Sequence, residues 1–247
     1  YKVENENRLN TALIAGKESG FNATIEALRR EISQASKVVF LLSPNNSLEQ
    51  MYALQQLAIA SNAVVTGFCD GYSKAGDGDD FLIQDDKSAN RASFTLLGID
   101  SSRAGFDAAI SGADLLISFQ NDLSKSLTVA EFDQLLSSVK VAYVGSSLDG
   151  CAVKATIALP VASYTEDAGT LINVDQILQQ YEIAVVKNTP AFNLIHVVNL
   201  LGGPVKDYHE ARAEIMANVA ALNGIDLEQV PGEGLALTDS EVSNVAA

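Results

Sequence analysis

The chain has 247 residues, 47% of them hydrophobic and 19% charged, which is the composition of a folded globular protein with a sizeable core. Sixteen basic residues against thirty-one acidic ones leave a net charge of −15, a balance that argues against binding nucleic acid or docking on an anionic lipid surface. The two cysteines, Cys69 and Cys151, are too few for a four-thiolate cluster and too far apart for a zinc or redox pair, so both are expected to be buried structural thiols. The longest run of aliphatic and aromatic residues, Val38 to Leu42, is far short of the roughly 20 needed to span a bilayer, so no direct membrane insertion is expected.

In chain order, Tyr1 to Lys17 has little periodicity and is expected to include a poorly tied terminus. A chain that opens on Tyr1 rather than Met suggests a fragment of a longer polypeptide. From Asn22 to Ser33, Ile25, Leu28 and Ile32 recur at helical spacing. Lys37 to Leu42 suits a buried parallel strand. Ser43 to Asn46 then forms a loop, and Ser47 with Gln50 makes a capping box for a helix to about Ser61. Ala63 to Phe68 is the next strand, completing a βαβ unit. The Gly- and Asp-rich stretch Gly71 to Asp80 misses the calcium-loop pattern and is expected to be a solvated loop. Helix Ala104 to Ile110, strand Asp114 to Phe119, helix Thr128 to Val139 (capped by Thr128 and Glu131), strand Lys140 to Ser146 and strand Ala155 to Leu159 follow.

This alternation predicts an α/β fold with a doubly wound, mainly parallel, Rossmann-like sheet. After Gln180 the texture turns helical, over Ala191 to Leu201 and Asp207 to Leu222. An acidic, loop-like tail follows from Glu228. The expected division is an α/β domain over 1–180 and a helical extension over 181–247 packed on it.

Chemistry-bearing motifs are sparse. No Walker A sequence and no G-x-G-x-x-G after a strand is present. No serine lies in G-x-S-x-G, and no nucleophile–base–acid arrangement can be drawn. His196 sits in an apolar stretch and reads as a core or partly buried histidine, whereas His209 reads as solvent-facing. The loops Ser43 to Asn46 and Gln120 to Ser124 are placed to face a crevice at the carboxyl edge of the sheet. Glu166 and Asp167 are simplest as an exposed pair of loop acids.

Several segments together resemble a known family. After the strand ending at Leu159-Pro160 comes a polar loop with Glu166, Gly169, Thr170, Asn173 and Gln179. Its spacing, E-x-x-G-T-x-x-N, resembles the signature of the molybdopterin oxidoreductase superfamily. Within that superfamily the nearest likeness is to the large iron–sulfur subunit (the G subunit) of respiratory NADH–quinone oxidoreductases. In family order, Ser47-Leu48-Glu49 with Tyr52 resembles an "N-E-x-x-Y" segment. Leu97 to Gly105 resembles a "G-x-N-S-x-G" turn with Asp100 in the Asn place. Ala113 to Ile117, followed by Asn121-Asp122, resembles an "A-D" strand, and Lys154 to Pro160 an "A-D-V-V-L-P" strand with Thr156 for Asp. Phe192 to Gly203 resembles a helix that opens on an aromatic residue and ends on Leu-Gly.

Members that hold a pterin usually continue the loop as "N-x-E-G-R-x-Q". Here Asp175, Gln176 and Ile177 stand for Glu, Gly and Arg, and Ile cannot replace a guanidinium fork. The resemblance therefore implies a non-catalytic scaffold domain of a peripheral-arm subunit of respiratory complex I. Glu166, Gly169, Thr170 and Asn173 would be vestigial motif residues, with no catalytic residue, no metal ligand and no confident cofactor-binding residue. It implies no cofactor in this stretch, and iron–sulfur clusters in an N-terminal part of the parent. It further implies partner subunits of a respiratory complex and a cytoplasmic location peripheral to the inner membrane through them. The alternatives are a piece of an active molybdopterin enzyme such as a formate dehydrogenase, and a free-standing α/β ligand-binding protein.

Overall fold

The computed structural model describes residues 7–79, 81, 83–148, 150–186 and 192–237. Residues 1–6 of the opening segment, Ala191 at the start of a predicted helix, and residues 238–247 of the acidic tail lie outside them.

The predicted βαβ unit is present. Strand β3 (Val38–Leu42) is buried throughout, and helix α2 (Leu48–Ser61) leads from it to β4 (Val64–Thr66). The Ser47/Gln50 capping box forms as expected, and the helix ends on Asn62 in the left-handed conformation. Ahead of it, α1 (Phe21–Gln34) presents Ile25 and Leu28 to the core. Beyond β4, the helices α3 (Ala92–Leu96) and α4 (Arg103–Ile110), strand β5 (Leu115–Phe119), helix α5 (Val129–Ser138) and strand β6 (Lys140–Gly145) follow. They lead to α6 (Gly150–Lys154) and β7 (Ile157–Pro160).

The strands β7-β6-β5-β3-β4 run parallel, in that order. Along each central strand the side chains alternate between two cores. Val38, Phe40, Leu42, Ile117, Phe119 and Val144 face the layer that contains α1 and α2. Val39, Leu41, Leu116, Val141 and Tyr143 face α4, α5 and α6. This is the doubly wound α/β architecture the alternating pattern predicts.

Three expectations are corrected. The opening segment is tied down over its described part: β1 (Ala12–Ile14) and β2 (Lys17–Ser19) form an antiparallel hairpin that extends the sheet beyond β7. Its strands are only three residues long, too short for a period-two pattern to stand out, and the turn places Ala15 and Gly16 at positive φ. The motif loop after β7 contains β8 (Gly169–Ile172) and β9 (Ile177–Tyr181) rather than irregular chain. The tail is not wholly loop: β10 (Leu235–Ala236) pairs with β9 in a second, three-stranded antiparallel sheet. That small sheet joins residues from both sides of Gln180. The helices α7 (Leu194–Leu200) and α8 (Tyr208–Asn218) start on the caps Asn193 and Asp207. Among the described residues, no helix is long and apolar enough to cross a membrane.

Candidate functional site

Strand β3 is flanked by β4 on one side and β5 on the other, so the connections leave β3 and β5 in opposite directions. Open α/β sheets form a crevice at such a point, outside the carboxyl ends of the strands. A cavity of about 250 Å³ lies there, lined by Asn45, Gln120, Asp122, Lys125, Ser146 and Ser163 among others. Both loops expected to face a crevice therefore do so. Buried Asn121 fixes the rim: its Nδ2 donates to the Leu42 carbonyl at 2.8 Å and the Phe68 carbonyl at 3.0 Å, joining the ends of three neighbouring strands. Asp122 accepts from Ser124 Oγ at 2.7 Å and from the Cys151 N–H at 3.0 Å. Lys125 lies over the Tyr72 ring. A second, more apolar groove of about 500 Å³ adjoins the crevice at Asn45 and Tyr164.

None of the four motif residues is among those lining the two cavities, and the structure engages each of them internally. Glu166 opens the sequence. Burial alone would raise its carboxyl. The Ser163 N–H and hydroxyl, each 2.8 Å away, and the Arg8 guanidinium at 2.8 Å outweigh burial and hold it below the usual carboxylate range. Arg8 also donates to the Val161 carbonyl. Glu166 Oε1 and Arg8 Nη1 are buried with no hydrogen-bond partner among the described residues.

Gly169 passes against the helix α2 cap so closely that a Cβ there would lie 2.5 Å from Ser47 Cβ. Thr170 is wholly buried. Its N–H donates to Glu49 Oε2 at 2.8 Å and its hydroxyl to Glu49 Oε1 at 2.7 Å. Asn173 builds the β8–β9 turn, its Oδ1 accepting from the Asp175 and Ile177 N–H groups at 3.0 and 2.9 Å. Gln176 takes the left-handed conformation there, with φ 59°, at the position where the resembled motif has glycine. Ile177, in the place of the resembled motif's arginine, pairs with Ala236 of β10, and a Cβ on Gly234 would be 2.6 Å from Ile177 Cγ2.

Around Thr170 the outward edge of β8 is closed by side chains. Glu49, wholly buried, also receives Arg212 Nε at 2.9 Å, and Arg212 reaches Glu228 at 3.0 Å. The Ile172 N–H donates to Asn90 Oδ1 at 2.7 Å, and Asn90 Nδ2 donates to the Asn46 carbonyl. Gln50 Nε2 bonds Asp167 Oδ2 at 3.0 Å and Tyr208 Oη at 3.1 Å. Burial pushes the Asp167 carboxyl up to about 6, helped by the charge of Glu49 and opposed by the Ala168 N–H, Tyr208 and Gln50. Burial likewise raises the phenols of Tyr181 and Tyr208.

The expectation of an exposed Glu166–Asp167 pair is thus corrected. Asp167 is buried and Glu166 is half-buried with its side chain covered, because Arg8 from ahead of β1 and Gln50 from α2 lie over them, contacts of long sequence separation. His196 is also corrected: it is exposed, with its ring stacked 5.1 Å from Phe192 rather than in the core. It falls on the outward side of α7, whose Leu194, Ile195, Val197 and Val198 are buried. His209 is exposed as expected and meets Glu228. Cys69 and Cys151 are buried free thiols, and burial raises them to about 11 and about 12. Arg8, Asn90 and Arg212 carry no sequence signal, since each acts on residues far away in the chain. Glu49 lies in a family-like segment, and only the fold gives it a partner.

The other family-like segments are structural turns too. Asp100 Oδ1 accepts the Ser102 N–H at 2.8 Å, and a Cβ on Gly105 would lie 2.2 Å from Asp100 Oδ2. Asp114 accepts the Ser36 and Lys37 N–H groups, joining the starts of β3 and β5.

Compared with known proteins, the chain matches no family model. It is similar to the G subunit of the NADH-quinone oxidoreductase of Pseudomonas putida, with 35% identity over 95 residues. The aligned stretch is 38% of this chain and only 10% of that protein.

Proposed function

We propose that the chain is a non-catalytic, molybdopterin-oxidoreductase-like scaffold domain of a large peripheral-arm subunit of an NADH–quinone oxidoreductase, assembled with other subunits of that complex. The observation that carries this reading is the fate of the motif. Glu166 Oε2, the Thr170 N–H and hydroxyl, and Asn173 Oδ1 are committed to Arg8, Ser163, Glu49 and the β8–β9 turn, and Gly169 is filled by the α2 cap. Residues so engaged shape the fold and are not aimed at a ligand. The partial match to the Pseudomonas putida G subunit supports the kind of complex.

The residues fit a pterin dinucleotide poorly. The crevice lining offers Lys125 as cation with Asp122 opposing it, where a pterin dinucleotide carries several phosphate charges. Ile177, where the resembled motif has its guanidinium, is half-buried, is paired with Ala236 of β10 and lies against Gly234. No step is therefore derived through such a group. Iron–sulfur clusters belong, on this reading, to other parts of the parent subunit, and the domain is peripheral to the inner membrane through its partners.

The test is to tag the parent subunit in its host and purify it under mild detergent. Retention of NADH–quinone reductase activity and of the complex's other subunits supports the scaffold reading. Recovery of the tagged subunit in a molybdenum-containing dehydrogenase instead supports the active-enzyme alternative.

A further inference from the structure

The apolar groove beside the crevice continues into a strip of side chains that the fold leaves uncovered. Asn45, Ala89, Tyr164, Leu171, Tyr181 and Glu182 line the groove. Next to it Ile183, Ala184, Val185 and Val186 are all exposed, Val186 at 88%. Four consecutive exposed apolar residues beside an apolar groove of about 500 Å³ are unusual on a lone folded chain, and they mark a contact surface. The strip is held in place before any partner arrives. The Thr165 carbonyl accepts both the Ala184 and Val185 N–H groups, at 3.0 and 2.9 Å, so docking there does not first have to order the backbone.

We propose that this groove and strip dock an extended segment of a partner polypeptide in which branched apolar side chains alternate with lysine or arginine. The charge of the surface selects that chemistry. Among the described residues, the one charged side chain in the groove lining is the carboxylate of Glu182. The chain as a whole carries −15. A second copy of this chain would bring another Glu182 to the contact and a further net charge of −15, and like charges oppose such pairing. A small apolar ligand in the groove would leave the strip from Ile183 to Val186 in water. A segment with apolar side chains for the groove and strip and a cation for Glu182 covers both. This inference stands apart from the scaffold reading, because it rests on the groove and strip alone.

The test is fluorescence anisotropy of the full chain with three labelled synthetic peptides: one alternating Val or Ile with Lys, one with Glu for each Lys, and one with Ser for each Val or Ile. The first should bind at least about 10-fold more tightly than either counterpart. The triple variant I183S/V185S/V186S should weaken it by about 10-fold with the thermal midpoint unchanged, since these side chains are exposed. Val129→Ser, an exposed valine on α5, is the control and should bind as the parent does. Equal binding of the Glu peptide or the Ser peptide overturns the proposal, as does binding unchanged in the triple variant. So does self-association in sedimentation equilibrium that the triple variant abolishes, which would make a second copy the occupant.

Discussion

Replacing Arg212 isolates the contact on which the motif's structural role depends. In the native chain Glu49 is wholly buried and its two oxygens accept from the Thr170 N–H, the Thr170 hydroxyl and Arg212 Nε. Arg212→Met keeps much of the aliphatic stem and removes the counter-charge, leaving a carboxylate buried between α2, β8 and α8. Removing one partner of a buried pair costs about 3–5 kcal/mol. The second arm of Arg212, to the part-exposed Glu228, adds at most about 1 kcal/mol. For a chain of this size, about 3–5 kcal/mol corresponds to a fall in Tm of about 6–20 °C. The double variant Glu49→Gln/Arg212→Met should recover most of the loss. An uncharged amide there keeps an acceptor for Thr170 and no longer needs a cation. Urea unfolding of the parent, both single variants and the double variant gives the coupling energy. A cost below about 1 kcal/mol for Arg212→Met, or a double variant whose losses simply add, would rule out a structural ion pair at Glu49.

Three other outcomes follow from the same neighbourhood. Asp167 has its folded pKa raised from 3.8 to about 6, so the native state binds its proton more tightly than the unfolded chain. Its contribution to stability is therefore full below about pH 4 and is lost as pH rises through about 6, by at most about 3 kcal/mol. Asp167→Asn should flatten that part of a stability–pH curve measured by urea melts, and a curve of unchanged slope would count against the assignment. Gly169→Ala should cost about 1–3 kcal/mol, because its Cβ meets Ser47, while Gly232→Ala, with open space around it, should stay within about 0.5 kcal/mol. Equal Tm values for the two would contradict the close approach. Finally, Cys69 and Cys151, buried and with raised pKa values, should react with a thiol reagent at about pH 8 only slowly until denaturant is added. Rapid labelling of the native chain would show that one of them is accessible.

The part of the fold legible in the sequence is the part whose signals are local. The Ser47/Gln50 and Thr128/Glu131 capping boxes can be read from four residues each, and both form. The continuous apolar run of β3, and that of β5 interrupted only by Ser118, are what strands buried on both faces require. The hairpins β1–β2 and β8–β9 were not legible, because their strands are three to five residues long and partly polar. Their pairing depends on β7, Glu49 and Asn90, which lie far off in the chain. The site divides in the same way. The loops at the carboxyl edge follow from the alternating pattern, so the crevice at Asn45 and Gln120 could be anticipated. That Asp167 lies under Gln50 could not, since the two are 117 residues apart. The pairing of Glu166 with Arg8 spans a still longer separation and leaves no local trace.

Molybdenum and pterin content decides the scaffold reading. The parent subunit should be purified from its host grown with molybdate, and molybdenum measured by elemental analysis alongside pterin fluorescence after oxidative release. Both should stay at background while the subunit remains in an active NADH–quinone reductase. Molybdenum and pterin at one equivalent per chain would contradict a non-catalytic scaffold.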